Sequence, residues 1–198
     1  MTMQFPERLV VMALDIESRG VFEGAGVSVL YTGVGKVNAA AALARRLAEY
    51  RCSGRPMPLV VNFGSAGSRL FTAGSVVACR RFVQRDIDVS GLDFPVGVTP
   101  VEDGPHELEF PAVFAGLPEG VCGTGDSFAM GAPHLPCDVI DMEAYALAKA
   151  CRHENARFAC AKYITDGADH AAAGDWRANV KHAPVEFLRL YRMLRDPG

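Results

Sequence analysis

A chain of 198 residues, 49% of them hydrophobic and 22% charged, has the composition of a soluble globular protein. A single domain of this size buries roughly 70% of the surface that its unfolded chain exposes, so we expect one domain over residues 1–198. The formal net charge of -3 gives no electrostatic reason to bind nucleic acid or an anionic membrane, and we expect neither as a partner.

The beginning of the chain and its cysteines bear on the compartment. The first apolar run, within MTMQFPERLVVMALD, is six residues long, too short for the core of a signal peptide or for a membrane span. The six cysteines form no CxxC pair, and the five histidines show no metal-binding spacing such as HExxH. We therefore expect a cytoplasmic protein with buried, reduced thiols and with neither a metal ion nor another cofactor.

Apolar runs rich in Val, Ile and Phe predict buried strands. In chain order they are RLVVMAL (8–14), VSVLYTG (27–33), PLVVNFG (58–64), SVVACRRFV (75–83), DVID (138–141) and FACAKYIT (158–165). Small and apolar residues at three- and four-residue steps predict helices over KVNAAAALARRLAEY (36–50) and MEAYALAKACRHE (142–154). A last helix is predicted over 175–194, with an interruption near Pro184.

This alternation of strands and helices predicts an α/β fold, a single domain with a central mixed, twisted β-sheet flanked by helices. The region from Ser90 to Glu119 holds five prolines and shows no clear period, which indicates a long excursion rather than a second domain. In open α/β sheets, ligands bind at the carboxyl ends of strands. The residues that follow each apolar run are therefore the candidates for a site.

Four strand ends carry such candidates: LDIES with Glu17, TGVGKVNAA, NFGSAGS, and TDGAD with Asp166. The glycines of TGVGK fit neither GxxxxGK[ST] nor GxGxxG, so they give little support for an ATP or NAD site. Taken singly, each acid is more simply a helix cap or a solvated loop residue, and each glycine segment a tight turn.

A fifth segment, VIDMEAYALAKAC, places two acids where a strand turns into a helix. Asp141 is well explained as a helix-entry residue, because acids favour the positive end of a helix dipole. Glu143, Glu17 and Asp166 would then be three carboxylates at strand ends that could converge on one cleft. Such a cleft suits cleavage of a glycosidic bond, in which one acid protonates the leaving group and another activates water.

Seven segments taken in order carry a more specific signal: MALDIE, TGVGKVNAA, NFGSAG, RDIDVSG, GTGDSF, IDMEAYA and ITDGAD. Together they resemble the nucleoside phosphorylase and nucleosidase family, and within it the 5′-methylthioadenosine/S-adenosylhomocysteine nucleosidases. Any one of these motifs is weak, but seven in register cover most of the chain. The resemblance implies a phosphorylase/hydrolase-like fold and a purine nucleoside as the ligand.

The resemblance also implies a role for each acid. Glu17 would take a proton from the attacking water, and Asp166 would share its proton with the departing purine. Glu143 would accept hydrogen bonds from the ribose 2′- and 3′-hydroxyls, with Met142 packed against the sugar. Adenine leaves poorly as an anion, so Asp166 must hold a proton near neutral pH while Glu17 stays ionised.

Further contacts follow from the same resemblance. Phe128 would stack on the base and present backbone groups to its edge. Trp176 would lie over the 5′-substituent, although it could equally be a helix-start residue packed on the core. The ribose and water side would be lined by Ser65, Ala66 and Gly67. Family members with Asp at position 166 act on 6-aminopurines, which implies adenine as the product.

Hydrolysis is predicted over phosphorolysis because phosphorylases of the family carry a GDPxR-like loop after the first strand. This chain has LDIESRG there, with a glutamate that would repel phosphate. Arg19 and Arg69 keep a purine nucleoside phosphorylase open as the alternative. The Ser90 to Glu119 region is shorter than the family's, which leaves open a nucleoside-binding module without efficient catalysis. The family implies a homodimer, whose geometry and preferred 5′-substituent the sequence leaves undecided.

Overall fold

A computed structural model describes residues 7–128 and 135–194 of the chain. They form one eight-stranded sheet with helices packed against it. The strands are β1 (Arg8–Met12), β2 (Val29–Tyr31), β3 (Leu59–Gly67), β4 (Val76–Gln84), β5 (Leu108–Glu109), β6 (Glu119–Thr124), β7 (Val139–Asp141) and β8 (Arg157–Asp166). The α-helices are α1 (Val21–Gly24), α2 (Lys36–Cys52), α3 (Ala144–His153), α4 (Ala172–Asn179) and α5 (Ala183–Met193).

The sheet is mixed. Parallel pairing joins β1 to β2 and to β3, β3 to β8, and β6 to both β4 and β7. Antiparallel pairing joins β3 to β7, and β4 to β5 and to β8. Because β8 pairs with both β3 and β4, the strands β3, β7, β6, β4 and β8 form a closed circuit. The predicted α/β fold with a mixed sheet is confirmed.

Two apolar layers cover the sheet. On one side α2 and α3 bury Leu43, Leu47 and Leu147 in a common cluster. On the other side α5 places Phe187 on Phe63 of β3, with the two ring centroids 5.0 Å apart. Burying each of these large side chains contributes about 1.5–3 kcal/mol, so the two layers fix the helices on the strands.

Several local predictions are wrong. NFGSAGS is not a turn, because β3 continues through it to Gly67 and pairs with β8 along its length. The excursion contains the short strand β5, which was not predicted. Strand β6 and helix α1 were not predicted either. The predicted interruption near Pro184 is confirmed, because the 3-10 turn Val180–His182 separates α4 from α5. Pro184 itself lies in the first turn of α5, where its fixed φ suits a helix start.

The six cysteines are free, and four of them are buried. Cys52 is exposed and Cys137 is half-buried, so the expectation of buried thiols is wrong for these two. In the described part of the chain, no helix combines the length and apolar character needed to cross a membrane.

Candidate active site

A cavity of about 260 Å³ lies at the carboxyl ends of β1, β3, β7 and β8. Every residue to which the family resemblance gave a catalytic or substrate-binding role lines it: Glu17, Ser65, Ala66, Gly67, Phe128, Met142, Glu143, Asp166 and Trp176. The rest of the lining is Ala13, Leu14, Val34, Ser127, Ile140, Asp141 and Ala168. Apolar walls with a few convergent carboxylates are the usual composition of a small-molecule site.

A larger groove, of about 790 Å³, lies at the other end of the sheet, next to the first residues of β3 and β8. Its lining is apolar with Arg152 and Arg157, and no carboxylate belongs to it among the described residues. The chemistry-bearing groups are therefore at the carboxyl ends, as expected for an α/β sheet.

Strand register brings the acids together. Gly67 at the end of β3 pairs with Ile140 of β7 on one side and with Asp166 of β8 on the other. A Cβ atom at position 67 would lie 2.6 Å from Asp166 Oδ1 and 3.2 Å from the Ala168 side chain. Only glycine lets the carboxyl group of Asp166 lie this close to the β3 backbone.

The Glu17 carboxylate is buried and receives four hydrogen bonds. Oε2 accepts from the backbone N–H groups of Ala13 (3.0 Å) and Leu14 (3.1 Å). Oε1 accepts from the backbone N–H (2.7 Å) and the hydroxyl (2.8 Å) of Ser65. Donors that converge on a carboxylate stabilise its negative charge. The short 3-10 turn Asp15–Glu17 therefore holds the Glu17 carboxyl group against the end of β3.

Asp166 is also buried, with two hydrogen bonds to its carboxyl group. Thr165 Oγ1 bonds to Oδ2 at 2.8 Å, and the backbone N–H of Ala168 donates to Oδ1 at 3.0 Å. Ala168 has a φ of 51°, a left-handed conformation that alanine rarely adopts. Such strain is typical of functional sites, and here it directs a backbone donor to the acid.

Glu143 precedes α3 and accepts a hydrogen bond from the backbone N–H of Gly35 at 2.8 Å. Burial, the charge of Asp141 and, more weakly, that of Glu17 raise the pKa of Glu143 to about 7, although Lys162 and the Gly35 N–H oppose the rise. Glu143 is therefore an acid whose charge changes near neutral pH.

A buried ion pair lies beneath the cavity. Lys162 Nζ is 2.8 Å from Asp141 Oδ2, and each side chain is 1% exposed. Burial alone would lower the pKa of Lys162, but the attraction of Asp141 raises it well above its usual value. Asp141 also accepts from Thr124 Oγ1 (2.5 Å) and from the backbone N–H of Ala144 (2.8 Å). Its helix-entry position is as expected, but its ionic partner was not anticipated.

The signal for this pair was present in the sequence. FACAKYIT is apolar apart from one lysine, and a lysine is almost never fully buried unless it is paired. A strand buried on both faces would therefore require an acid near Lys162, and Asp141 supplies it.

A second network ties the glycine turn before α2 to the cavity. Lys36 Nζ contacts Asp86 Oδ1 at 2.6 Å, and the backbone N–H of Lys36 donates to Asp126 Oδ1 at 2.7 Å. Asp86 Oδ2 in turn accepts from the backbone N–H of Asp126 at 2.7 Å. Because the neighbouring Gly35 bonds to Glu143, this network fixes the turn relative to Glu143. The TGVGK segment thus connects the start of α2 to Glu143, Asp86 and Asp126.

The loop before Phe128 is held by Arg85. Its guanidinium donates to Ser127 Oγ at 3.2 Å, to the Gly125 carbonyl at 3.3 Å and also to the Ser127 carbonyl. Phe128 itself is 47% exposed at the edge of the cavity. Nothing in the sequence indicated this role for Arg85, because its two partner residues lie on a loop about 40 positions away.

Trp176 lies in α4 and is half-buried at the cavity. Its indole Nε1 donates to Ser65 Oγ at 3.0 Å, which joins α4 to the end of β3. Arg19 and Arg69, the two candidates for holding phosphate, are exposed and do not line the cavity. Within the described residues, the lining contains four carboxylates and neither arginine nor lysine.

Comparison with known families matches residues 17–190 to the phosphorylase superfamily. The chain belongs to this superfamily. The resemblance that the seven motifs indicated is therefore confirmed. A 5′-methylthioadenosine/S-adenosylhomocysteine nucleosidase of Marinomonas sp. (strain MWYL1) is 30% identical, over 89% of this chain and 84% of the relative. The nucleosidase of the same name from Bacillus subtilis (strain 168) is 29% identical, over 86% and 81%.

Solved structures of other proteins share the fold. The Colwellia psychrerythraea 34H nucleosidase in complex with adenine superposes with a TM-score of 0.79 at 20% identity, covering 93% of this chain and 92% of that one. Futalosine hydrolase of Helicobacter pylori strain 26695 gives 0.79 at 19% identity, covering 92% and 95%.

Proposed function

We propose that the protein hydrolyses the N-glycosidic bond of 5′-substituted adenosines and releases adenine and a 5′-substituted ribose. The observation that carries this proposal is the convergence of Glu17, Glu143 and Asp166 on one cavity without a basic side chain in its described lining. The nucleosidase relatives at about 30% identity support the same reaction.

In this mechanism Asp166 acts as the general acid and Glu17 as the general base. Asp166 donates a proton to the purine as the bond between C1′ and the base nitrogen breaks, so adenine leaves neutral. The sugar passes through a cation-like transition state, and water adds to C1′ while Glu17 takes its proton. The four donors to Glu17 support an ionised base before the reaction begins.

The other predicted contacts are proposed as follows. Glu143 accepts hydrogen bonds from the ribose 2′- and 3′-hydroxyls, and half-buried Met142 packs against the sugar. Phe128 stacks on adenine from the open edge of the cavity. Trp176 covers the 5′ side. The wall on the ribose and water side is formed by Ser65, Ala66 and Gly67.

Water is the proposed nucleophile because every charged side chain in the described lining of the cavity is a carboxylate. The family resemblance implies that phosphorylases hold phosphate with arginine side chains, whose guanidinium groups match its geometry. Here Arg19 and Arg69 are exposed outside the cavity lining, and Lys162 is engaged by Asp141 below it. An anion in this cavity would face repulsion from Glu17, and the described lining supplies neither arginine nor lysine to offset it.

We also propose that the whole chain, 1–198, acts as one domain, as a homodimer and in the cytoplasm. Support for a dimer comes from the Ser90 to Glu119 region, where Leu92 is 68% and Val101 97% exposed. Covering these side chains with a second copy of the chain would remove apolar surface from water. Sedimentation equilibrium tests the dimer, and a mass of one chain at micromolar concentration would contradict it.

The experiment that tests the function is a substrate panel with and without phosphate, followed by measuring the free base. It contains methylthioadenosine, S-adenosylhomocysteine, 5′-deoxyadenosine, adenosine and inosine. Release of adenine from the 5′-substituted adenosines in phosphate-free buffer is expected. Release that depends on phosphate would replace the proposal with a phosphorylase. Tight calorimetric binding without turnover would replace it with a binding module.

A further inference from the structure

Trp176 is the single tryptophan of the chain. It forms a hydrogen bond with Ser65, which itself donates to the proposed base Glu17. Its indole N–H donates to Ser65 Oγ at 3.0 Å, and Ser65 Oγ lies 2.8 Å from Glu17 Oε1. The three groups form an indole–hydroxyl–carboxylate chain that runs from α4 to the 3-10 turn after β1.

The direction of this chain is fixed by its ends. An indole N–H can only donate, and an ionised carboxylate can only accept. Ser65 Oγ must therefore accept from Trp176 and direct its single proton to Glu17. Of the four donors to Glu17, three are backbone N–H groups that cannot rotate, so the Ser65 hydroxyl is the one that needs to be held.

We propose that Trp176 is a positioning residue for Glu17 and acts through Ser65, an inference that rests on the proposed hydrolysis. The indole N–H keeps the Ser65 hydroxyl on Oε1, so the carboxylate stays in one orientation towards the cavity. A phenyl ring at position 176 would keep an aromatic side chain there but would leave the hydroxyl free to rotate.

The second attachment of α4 separates this role from simple docking of the helix. Asn179 Nδ2, one turn after Trp176, donates to the carbonyl of Thr165 at 2.8 Å. Asn179 therefore anchors α4 to the end of β8 without contacting Ser65 or Glu17. Loss of this anchor loosens the helix, whereas loss of the indole N–H frees the hydroxyl.

The test is a double-mutant cycle on adenine release from methylthioadenosine with Trp176→Phe and Ser65→Ala. Trp176→Phe should lower kcat about fivefold, the effect of one neutral hydrogen bond, with KM within twofold because the ring is kept. Ser65→Ala should lower kcat at least tenfold, because it removes a donor to a charged group. Adding Trp176→Phe to Ser65→Ala should change kcat no further, because the indole then has no hydroxyl to hold.

Asn179→Ala is the matched control, and its effect should multiply with that of Ser65→Ala. Independent fivefold losses for Trp176→Phe in both backgrounds, or a change in KM alone, would overturn the proposal. If the parent enzyme released no adenine, the proposed function would fail instead.

A spectroscopic measurement tests the bond without activity. The indole N–H band in ultraviolet resonance Raman spectra comes only from Trp176, since it is the only tryptophan. The band should move towards that of a non-bonded indole in Ser65→Ala and stay in place in Asn179→Ala. An unchanged band in Ser65→Ala would contradict the hydrogen bond.

Discussion

Replacing Glu143 with glutamine should stabilise the fold at neutral and alkaline pH. Burial raises the pKa of Glu143 from its ordinary 4.5 to about 7, which means that the folded protein disfavours the ionised carboxylate. Between these values the unfolded chain releases a proton that the folded chain retains, so stability falls as the pH rises from about 4.5 to 7. Above pH 7 the whole cost is present.

The magnitude follows from the two values, which differ by about 2.5. At 1.36 kcal/mol for each tenfold difference, the raised pKa of Glu143 costs the fold about 3 kcal/mol above pH 7 and about 1 kcal/mol at pH 5. A glutamine side chain at this position carries no charge and can still accept the Gly35 N–H bond. The same substitution should weaken nucleoside binding, because the proposed ribose acceptor is lost.

The assay is urea unfolding of the parent and of Glu143→Gln at pH 5 and pH 8. We expect the advantage of the variant to grow by about 2 kcal/mol between the two pH values. Glu186→Gln is the control, because this surface glutamate pairs with Arg189 at 3.0 Å and such pairs contribute little. A difference for Glu143→Gln that does not depend on pH, or a destabilised variant at pH 8, would refute the reasoning.

Two further substitutions test the environment of the site. Lys162→Met should destabilise the fold by about 3–5 kcal/mol in urea unfolding, because Asp141 then stays buried without its partner. Combining it with Asp141→Asn should recover part of that loss, and a Lys162→Met protein as stable as the parent would argue against the pair. Gly67→Ala should lower kcat for adenine release much more than it changes the unfolding midpoint, because its Cβ would lie 2.6 Å from Asp166 Oδ1. A normal kcat for Gly67→Ala would show that Asp166 can move without loss.

Apolar runs predicted the strands whose buried positions carry apolar side chains. They did not predict β6. This strand contains Gly120 and Gly123, and glycine is depleted in strands. Both are required by close packing: a Cβ at Gly123 would lie 2.5 Å from Cys137 Sγ, and one at Gly120 would lie 3.1 Å from Phe71. The pattern that hid the strand is thus a consequence of its crowded surroundings.

Some contacts of the site could likewise be predicted from the sequence, and others could not. Glu17 and Asp166 could be found because each follows an apolar run, where a local pattern and a family resemblance coincide. The bond between Trp176 and Ser65 joins residues 111 positions apart. Pairings of this kind depend on how α4 packs on the strand ends, which no local pattern in the sequence reports.

The central claim is that Glu17 and Asp166 carry out hydrolysis, and the rate of adenine release from methylthioadenosine in phosphate-free buffer tests it most directly. The parent should turn over, and Glu17→Gln should retain nucleoside binding while losing about 10²–10⁴-fold in rate, the usual contribution of a general base. Asp166→Asn should lose a similar factor. A parent that needs phosphate, or a Glu17→Gln protein within a few-fold of the parent, would contradict the mechanism.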